Sequence, residues 1–278
     1  MSARSLTHSI LFCGVALLSG ILRAEDITTT DGQTYTNSSI RRSGELLMIK
    51  VTMEGSTSSI EMGLPLARII KVSFAEPPEL AKALSAASMG NAAEVLLLTG
   101  NYVSQQGDMK DVPGSWWPEM ARVRLLALAA SGKDADCADL ARQIGALKSP
   151  EADSLSRAGT LFAPLATGDL QAVIVGGKAL PRVNGDQGSA LAQLALGRAL
   201  LQKQDYVGAL LRAFLTIKVF YPSVALLQPP ALAGAAESYI GLKDVKRATQ
   251  CYAQIVKEWP DSPQAAEAKK KSASLSQP

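Results

Sequence analysis

Residues 229–260 read PPALAGAAESYIGLKDVKRATQCYAQIVKEWP, and this stretch decides the fold. Leu232, Ala235, Ala236 and Tyr239, then Ala248, Tyr252 and Ile255, recur at helical spacing on either side of Gly241-Leu242-Lys243-Asp244. The pattern predicts two antiparallel helices joined by a tight turn. Ala235, Ala236 and Ala248 let the helices approach closely, Tyr239 and Tyr252 fill the space around them, and Pro260 ends the second. Gly241 reads as the stop of the first helix and Asp244 as the cap of the next. One hairpin cannot bury its own apolar face, so copies of it are expected upstream.

Comparable turns occur at Lys203-Gln204-Asp205, Gly168-Asp169, Gly132-Lys133-Asp134 and Gly90-Asn91. Counting back through Gly241, Gln204, Gly168, Gly132 and Gly90 gives intervals of 37, 36, 36 and 42 residues. Apolar residues flank each turn at helical spacing, as in Leu191, Leu194, Ala195 and Leu201 before Asp205, then Ala209, Leu210, Ala213 and Ile217 after it. The terminal hairpin resembles a tetratricopeptide repeat through Leu232, Ala235, Ala236, Tyr239, Ala248, Tyr252, Ile255 and Pro260. The fourth resembles one through Gly197, Ala209 and Tyr221-Pro222, while the first three are placed by period alone. The expected fold class is therefore α+β, mostly α, with about five hairpins stacked as a solenoid over residues 79–265 and a disordered tail over 266–278.

Before the helices, residues 25–75 change to an alternating pattern in Gln33–Thr36, Leu47–Val51, Ser58–Met62 and Ile69–Phe74. Asp31-Gly32, Ser43-Gly44 and Glu54-Gly55 supply tight turns between these strands. The order of turns and strands resembles the small SH3-like or Sm-like barrels of exported bacterial proteins, which implies a closed barrel of four or five strands. The stretch lacks the Asp and Asn set with which Sm-like proteins hold RNA bases, so nucleic acid is not an expected partner. Glu76-Pro77-Pro78-Glu79 marks the boundary with the helices.

Residues 1–24 read as a secretory signal: Arg4 precedes an apolar run of 13 residues, Ile10–Leu22, that ends near Ala24. The run is shorter than the roughly 20 residues of a membrane-spanning helix, so cleavage after Ala24 is expected, with no integral segment retained. Removal of Arg4 and Arg23 takes the formal charge from +3 to +1. So small a net charge gives no electrostatic argument for nucleic acid or an acidic membrane. Cys137 and Cys251 would remain, three hairpins apart and so out of reach of a disulfide.

The one histidine, His8, lies inside the signal. A chain lacking it has no Ser-His-Asp or Cys-His catalysis and no His-ligated metal, so an enzyme is not expected and no cofactor is implied. Gly176-Gly177-Lys178-Ala179 lacks the leading Gly and the Ser or Thr of a phosphate loop. Asp134, Asp136 and Asp139 read as a solvated helix start.

The segment Tyr252–Pro263 resembles the repeats of bacterial envelope proteins of the Tol-Pal accessory and outer-membrane assembly type. The resemblance implies a periplasmic scaffold that holds an envelope protein or peptide in a groove lined by the first helix of each hairpin. By position, Arg124, Arg198 and Glu237 would face that groove. A second expectation is a cell-wall glycan or polymer site on the barrel and on Trp116 and Trp117, two adjacent indoles in a Gly/Pro loop.

Overall fold

The computed structural model describes residues 22–52 and 59–275. The chain is α+β and mostly helical, with all of its described strands before the first helix. Strands β1 (Leu22–Thr29), β2 (Thr34–Ser43), β3 (Leu46–Thr52), β4 (Ser59–Pro65) and β5 (Ile69–Phe74) form one antiparallel sheet in the order β4-β3-β2-β1-β5. Alternation places Ile27, Ile40, Leu47, Ile49, Leu64 and Val72 in a single core, and Gly32 and Gly44 take the positive φ that the two described hairpin turns require. The third expected turn, Glu54-Gly55, lies outside the described residues, as does nearly all of the expected signal. The expected cleavage point after Ala24 falls within β1, where Ala24 is buried opposite Phe74.

The expected barrel is not closed. Each of β4 and β5 pairs with one neighbour and ends the sheet. The outer edge of β5 is covered instead by residues between the helices: the Val72 N–H donates to the Pro113 carbonyl at 2.9 Å. Met109 and Val112 enter the core of the sheet from the same loop.

After Glu76-Pro77 the chain turns back on itself as five hairpins and a final helix. They are α1 (Pro78–Ser88) with α2 (Ala92–Gln105), α3 (Trp117–Ala130) with α4 (Asp134–Gly145), and α5 (Pro150–Thr160) and α6 (Phe162–Thr167) with α7 (Leu170–Ala179). Then come α8 (Gln187–Gln202) with α9 (Tyr206–Ala209), which runs through a π turn at Leu210–Phe214 into α10 (Leu215–Phe220). The last are α11 (Gln228–Gly241) with α12 (Val245–Glu258), and then α13 (Pro263–Leu275). One turn recurs in all five hairpins. Gly90, Gly132, Gly168, Gln204 and Lys243 adopt positive φ, and the N–H of the residue after each reaches back five positions to a carbonyl at 2.8–3.0 Å. Four of those next residues, Asn91, Asp169, Asp205 and Asp244, also cap the second helix through their side chains.

Two expectations change here. The left-handed residue of the last turn is Lys243, not Gly241. Gly241 is small for another reason, since a Cβ there would lie 2.5 Å from the Tyr206 ring. Residues 266–275 of the expected disordered tail instead belong to α13, because Ala265 and Ala268, one turn apart, are buried against the last hairpin.

The first helices α1, α3, α5, α8, α11 and α13 touch in series, as stacked hairpins require. The array then closes on itself. The turn Ala225–Leu227, between hairpins four and five, packs against α1 and α3 and buries Leu226 and Leu227 there. Trp259 lies against Gly90, and the Gln264 Nε2 donates to the Ala130 carbonyl at 2.7 Å. Contacts between neighbouring units alone, as the sequence implied, do not describe the packing. Cys137 and Cys251 are free thiols.

Candidate functional site

Hairpins one and two keep an open cavity of about 230 Å³ beside the turn Ala225–Leu227, and the cavity taken as the candidate site, also about 230 Å³, lies between α8, α11 and α13. Its floor is set by glycine. Phe214 projects from the π turn into a slot where a Cβ on Gly234 or Gly197 would come within 2.2 or 2.6 Å of its ring. The extra residue of a π turn brings Phe214 round to this slot. Pro230, Ala233 and Ala268 complete the apolar wall, and the rim is polar: Arg198, Glu237, Tyr252, Gln264, Glu267 and Lys271.

Arg198 is held from behind. Its Nη1 lies 2.9 Å from the Asp134 carboxylate, its Nη2 donates to the Ala129 carbonyl at 2.7 Å, and its guanidinium stands 5.8 Å over the Phe162 ring. Two donors are spent on α3 and α4, and the rest face the cavity side. Burial lowers the Arg198 pKa and raises that of Asp134, while their mutual attraction opposes both shifts. On α11, Glu237 accepts from the Tyr252 hydroxyl and from the Lys271 ammonium, and Lys271 also pairs with Glu267 at 2.9 Å. Burial by itself would lower Lys271, yet the two carboxylates outweigh it and raise its pKa. Burial, reinforced by Glu237, pushes the Tyr252 phenol far up.

The structure thus brings Arg198 and Glu237 to one cavity and places Arg124 elsewhere. Arg124 donates to the Leu96 carbonyl at 2.8 Å and lines a separate cleft with Asp136, Asp139 and Gln143. The tryptophans do not form an open stacking surface. Trp117 is fully buried with its Nε1 donating to the Val103 carbonyl at 2.9 Å, and Trp116 donates to the Phe74 carbonyl at 3.2 Å. Together they clamp the loop to helix α2 on one side and to the sheet on the other.

Lys271 is a rim residue that the sequence reading left in the disordered tail, and Gln264 one that it did not single out. The signal was there in Ala265, Ala268 and Leu275, whose helical spacing continues past Lys269-Lys270. Three buried side-chain oxygens near this rim, Gln264 Oε1, Ser262 Oγ and Ser131 Oγ, have no partner. Among the described residues no cluster of His, Cys, Asp or Glu is placed to hold a metal ion. The site can therefore present paired charges and a small apolar floor to a polar chain segment. No model of a known protein family and no curated protein matches this sequence.

Proposed function

We propose that the chain is a non-catalytic, exported adaptor of the cell envelope, built from tetratricopeptide-like hairpins, that holds a segment of a protein partner in the α8–α11–α13 cavity. One observation carries this reading. Arg198 and Glu237, on consecutive first helices, share an open cavity whose rim is charged and whose floor is apolar. The fivefold repetition of one turn geometry and the serial contact of first helices support the repeat assignment. The strand order β4-β3-β2-β1-β5, with a single 3-10 turn at Leu66–Arg68 before β5, supports an SH3-like ancestry for the open sheet.

Binding in the periplasm is tested by placing a benzophenone photo-crosslinker at Ala233 or Glu267, which line the cavity, and irradiating whole cells. The expected result is one dominant protein adduct at both positions and none at Leu97, an exposed site on α2. Absence of any adduct at both cavity positions refutes the reading. The glycan alternative, on the sheet and the Trp loop, is less favoured because Trp117 is buried and only Trp116 lines a cleft with β5.

A further inference from the structure

The second helices of hairpins three to five carry a surface that the adaptor reading does not use. Val175 on α7, Val207 on α9, Leu211 in the π turn, and Leu242 and Val245 at the last turn are all exposed, Leu211 by 59% and Val207 by 53%. Apolar residues scattered singly need no explanation, but these share one end of the array. Lys203 donates to the Gln171 side chain at 3.1 Å, which sets the turn of hairpin four beside the start of α7. The Tyr206 ring lies on Gly241, which sets α9 against the last turn. Val207 and Leu211 stand one helical turn apart on the same face.

The charge around these side chains is of both signs, with cations in excess. Lys178, Arg212, Lys243 and Lys246 are exposed there and form no salt bridge among the described residues. The nearby acids Asp169, Asp205 and Asp244 are committed to the backbone as helix caps, accepting from Ala172, Gly208 and Arg247 at 3.1, 2.9 and 3.0 Å. The caps keep their charge, so an anionic partner meets four unpaired cations beside three carboxylates already engaged with the backbone, while the aliphatic side chains need somewhere apolar to go.

The geometry points to a docking surface for an anionic lipid bilayer, with Val207, Leu211, Leu242 and Val245 entering the headgroup boundary and the lysines pairing with lipid phosphates. A lipid surface suits these aliphatic side chains because they are exposed on separate hairpins, where a bilayer can meet them together without a groove. No helix among the described residues is long and apolar enough to span a membrane, so the contact is peripheral. None of these residues lines the α8–α11–α13 cavity, and the inference is independent of the adaptor reading.

Co-sedimentation of the full chain with phosphatidylglycerol vesicles and with phosphatidylcholine vesicles tests it. Binding is expected to the anionic vesicles only, to weaken with salt, and to fall about fivefold for each of Lys243→Gln and Lys246→Gln. Leu211→Glu with Val245→Glu is expected to lower it at least tenfold. With Cys13 and Cys251 replaced by alanine, an environment-sensitive fluorophore on Val207→Cys should shift to the blue on vesicles, and one on Leu97→Cys should not. Vesicle binding that survives all four substitutions, that is equal on both lipids, or that shifts the probe at 97 as much as at 207 overturns the inference. So does retention of an acidic protein by this surface with no vesicle binding at all.

Discussion

The sheet meets the helical array along the loop that carries Gly114, and Gly114→Ala should loosen that junction. Gly114 has a φ of +92°, and a Cβ built there lies 2.0 Å from the Val72 carbonyl oxygen. Carbon and oxygen atoms in contact stand about 3.3 Å apart, so the loop must move out by more than an ångström. That displacement breaks the 2.9 Å hydrogen bond from Val72 to Pro113 next door. The strained φ costs on the order of 1–2 kcal/mol for a residue with a Cβ, and the lost bond with its stranded groups about another 1–2. The sum, about 3 kcal/mol, falls on the β5 edge, while α8 and the cavity are untouched. Hydrogen exchange followed peptide by peptide should show β5 and residues 107–116 losing protection, and a melting curve should show the sheet unfolding ahead of the helices by about 10 °C or more. Gly107→Ala is the control, since a Cβ there meets nothing within 4 Å and its φ is not positive. If Gly114→Ala melts and exchanges like Gly107→Ala, the loop is not the clamp and the account of the open sheet fails.

Further outcomes follow from the same packing. Lys243→Gly relieves a left-handed lysine, φ 62°, and should stabilise the chain by about 0.5–1 kcal/mol in urea unfolding, whereas Gly132→Ala, at φ 70°, should destabilise it by at least as much. Gly234→Ala drives a methyl into the Phe214 ring and should cost on the order of 3 kcal/mol; Phe214→Leu should recover most of this in the double variant, and additive losses would refute the wedge. Burial raises Tyr102 from 10.0 to about 12, so its folded form keeps a proton that the unfolded form releases. Stability is therefore full below pH 10 and should decline from there toward pH 12, with a shallower decline in Tyr102→Phe, read from urea midpoints across that range.

The hairpins were legible because each element carries its own local signal. Asp244, Asp205 and Asp169 cap as read, and the apolar spacing around each turn marks the helices that form. What could not be read were the contacts between distant units. Nothing in Ser223–Gln228 says that Leu226 and Leu227 will seat against α1 and α3, more than a hundred residues earlier. The two-residue shift from Gly241 to Lys243 has a similar cause. Glycine at 241 answers to the Tyr206 ring of the previous hairpin, so a residue that looked like a turn signal was a packing signal. The candidate groove residues fared according to this rule. Arg198 and Glu237 share a site because consecutive first helices touch, whereas Arg124 is taken up by Leu96 on the second helix of the preceding hairpin.

Net charge says little about local surfaces for a related reason. A formal balance of +3 for the chain, or +1 without Arg4 and Arg23, sums charges that the fold distributes unevenly. Three of the acids nearest the exposed aliphatic residues are helix caps, whose carboxylates face backbone N–H groups, while Lys178, Arg212, Lys243 and Lys246 face solvent. The turn that repeats through the array ties three carboxylates to backbone donors without removing their charge, and leaves the four cations beside them unpaired. If both proposals hold, the cavity and this edge use different residues, so occupation of one leaves the other open, and a partner peptide should not compete with anionic vesicles for the chain.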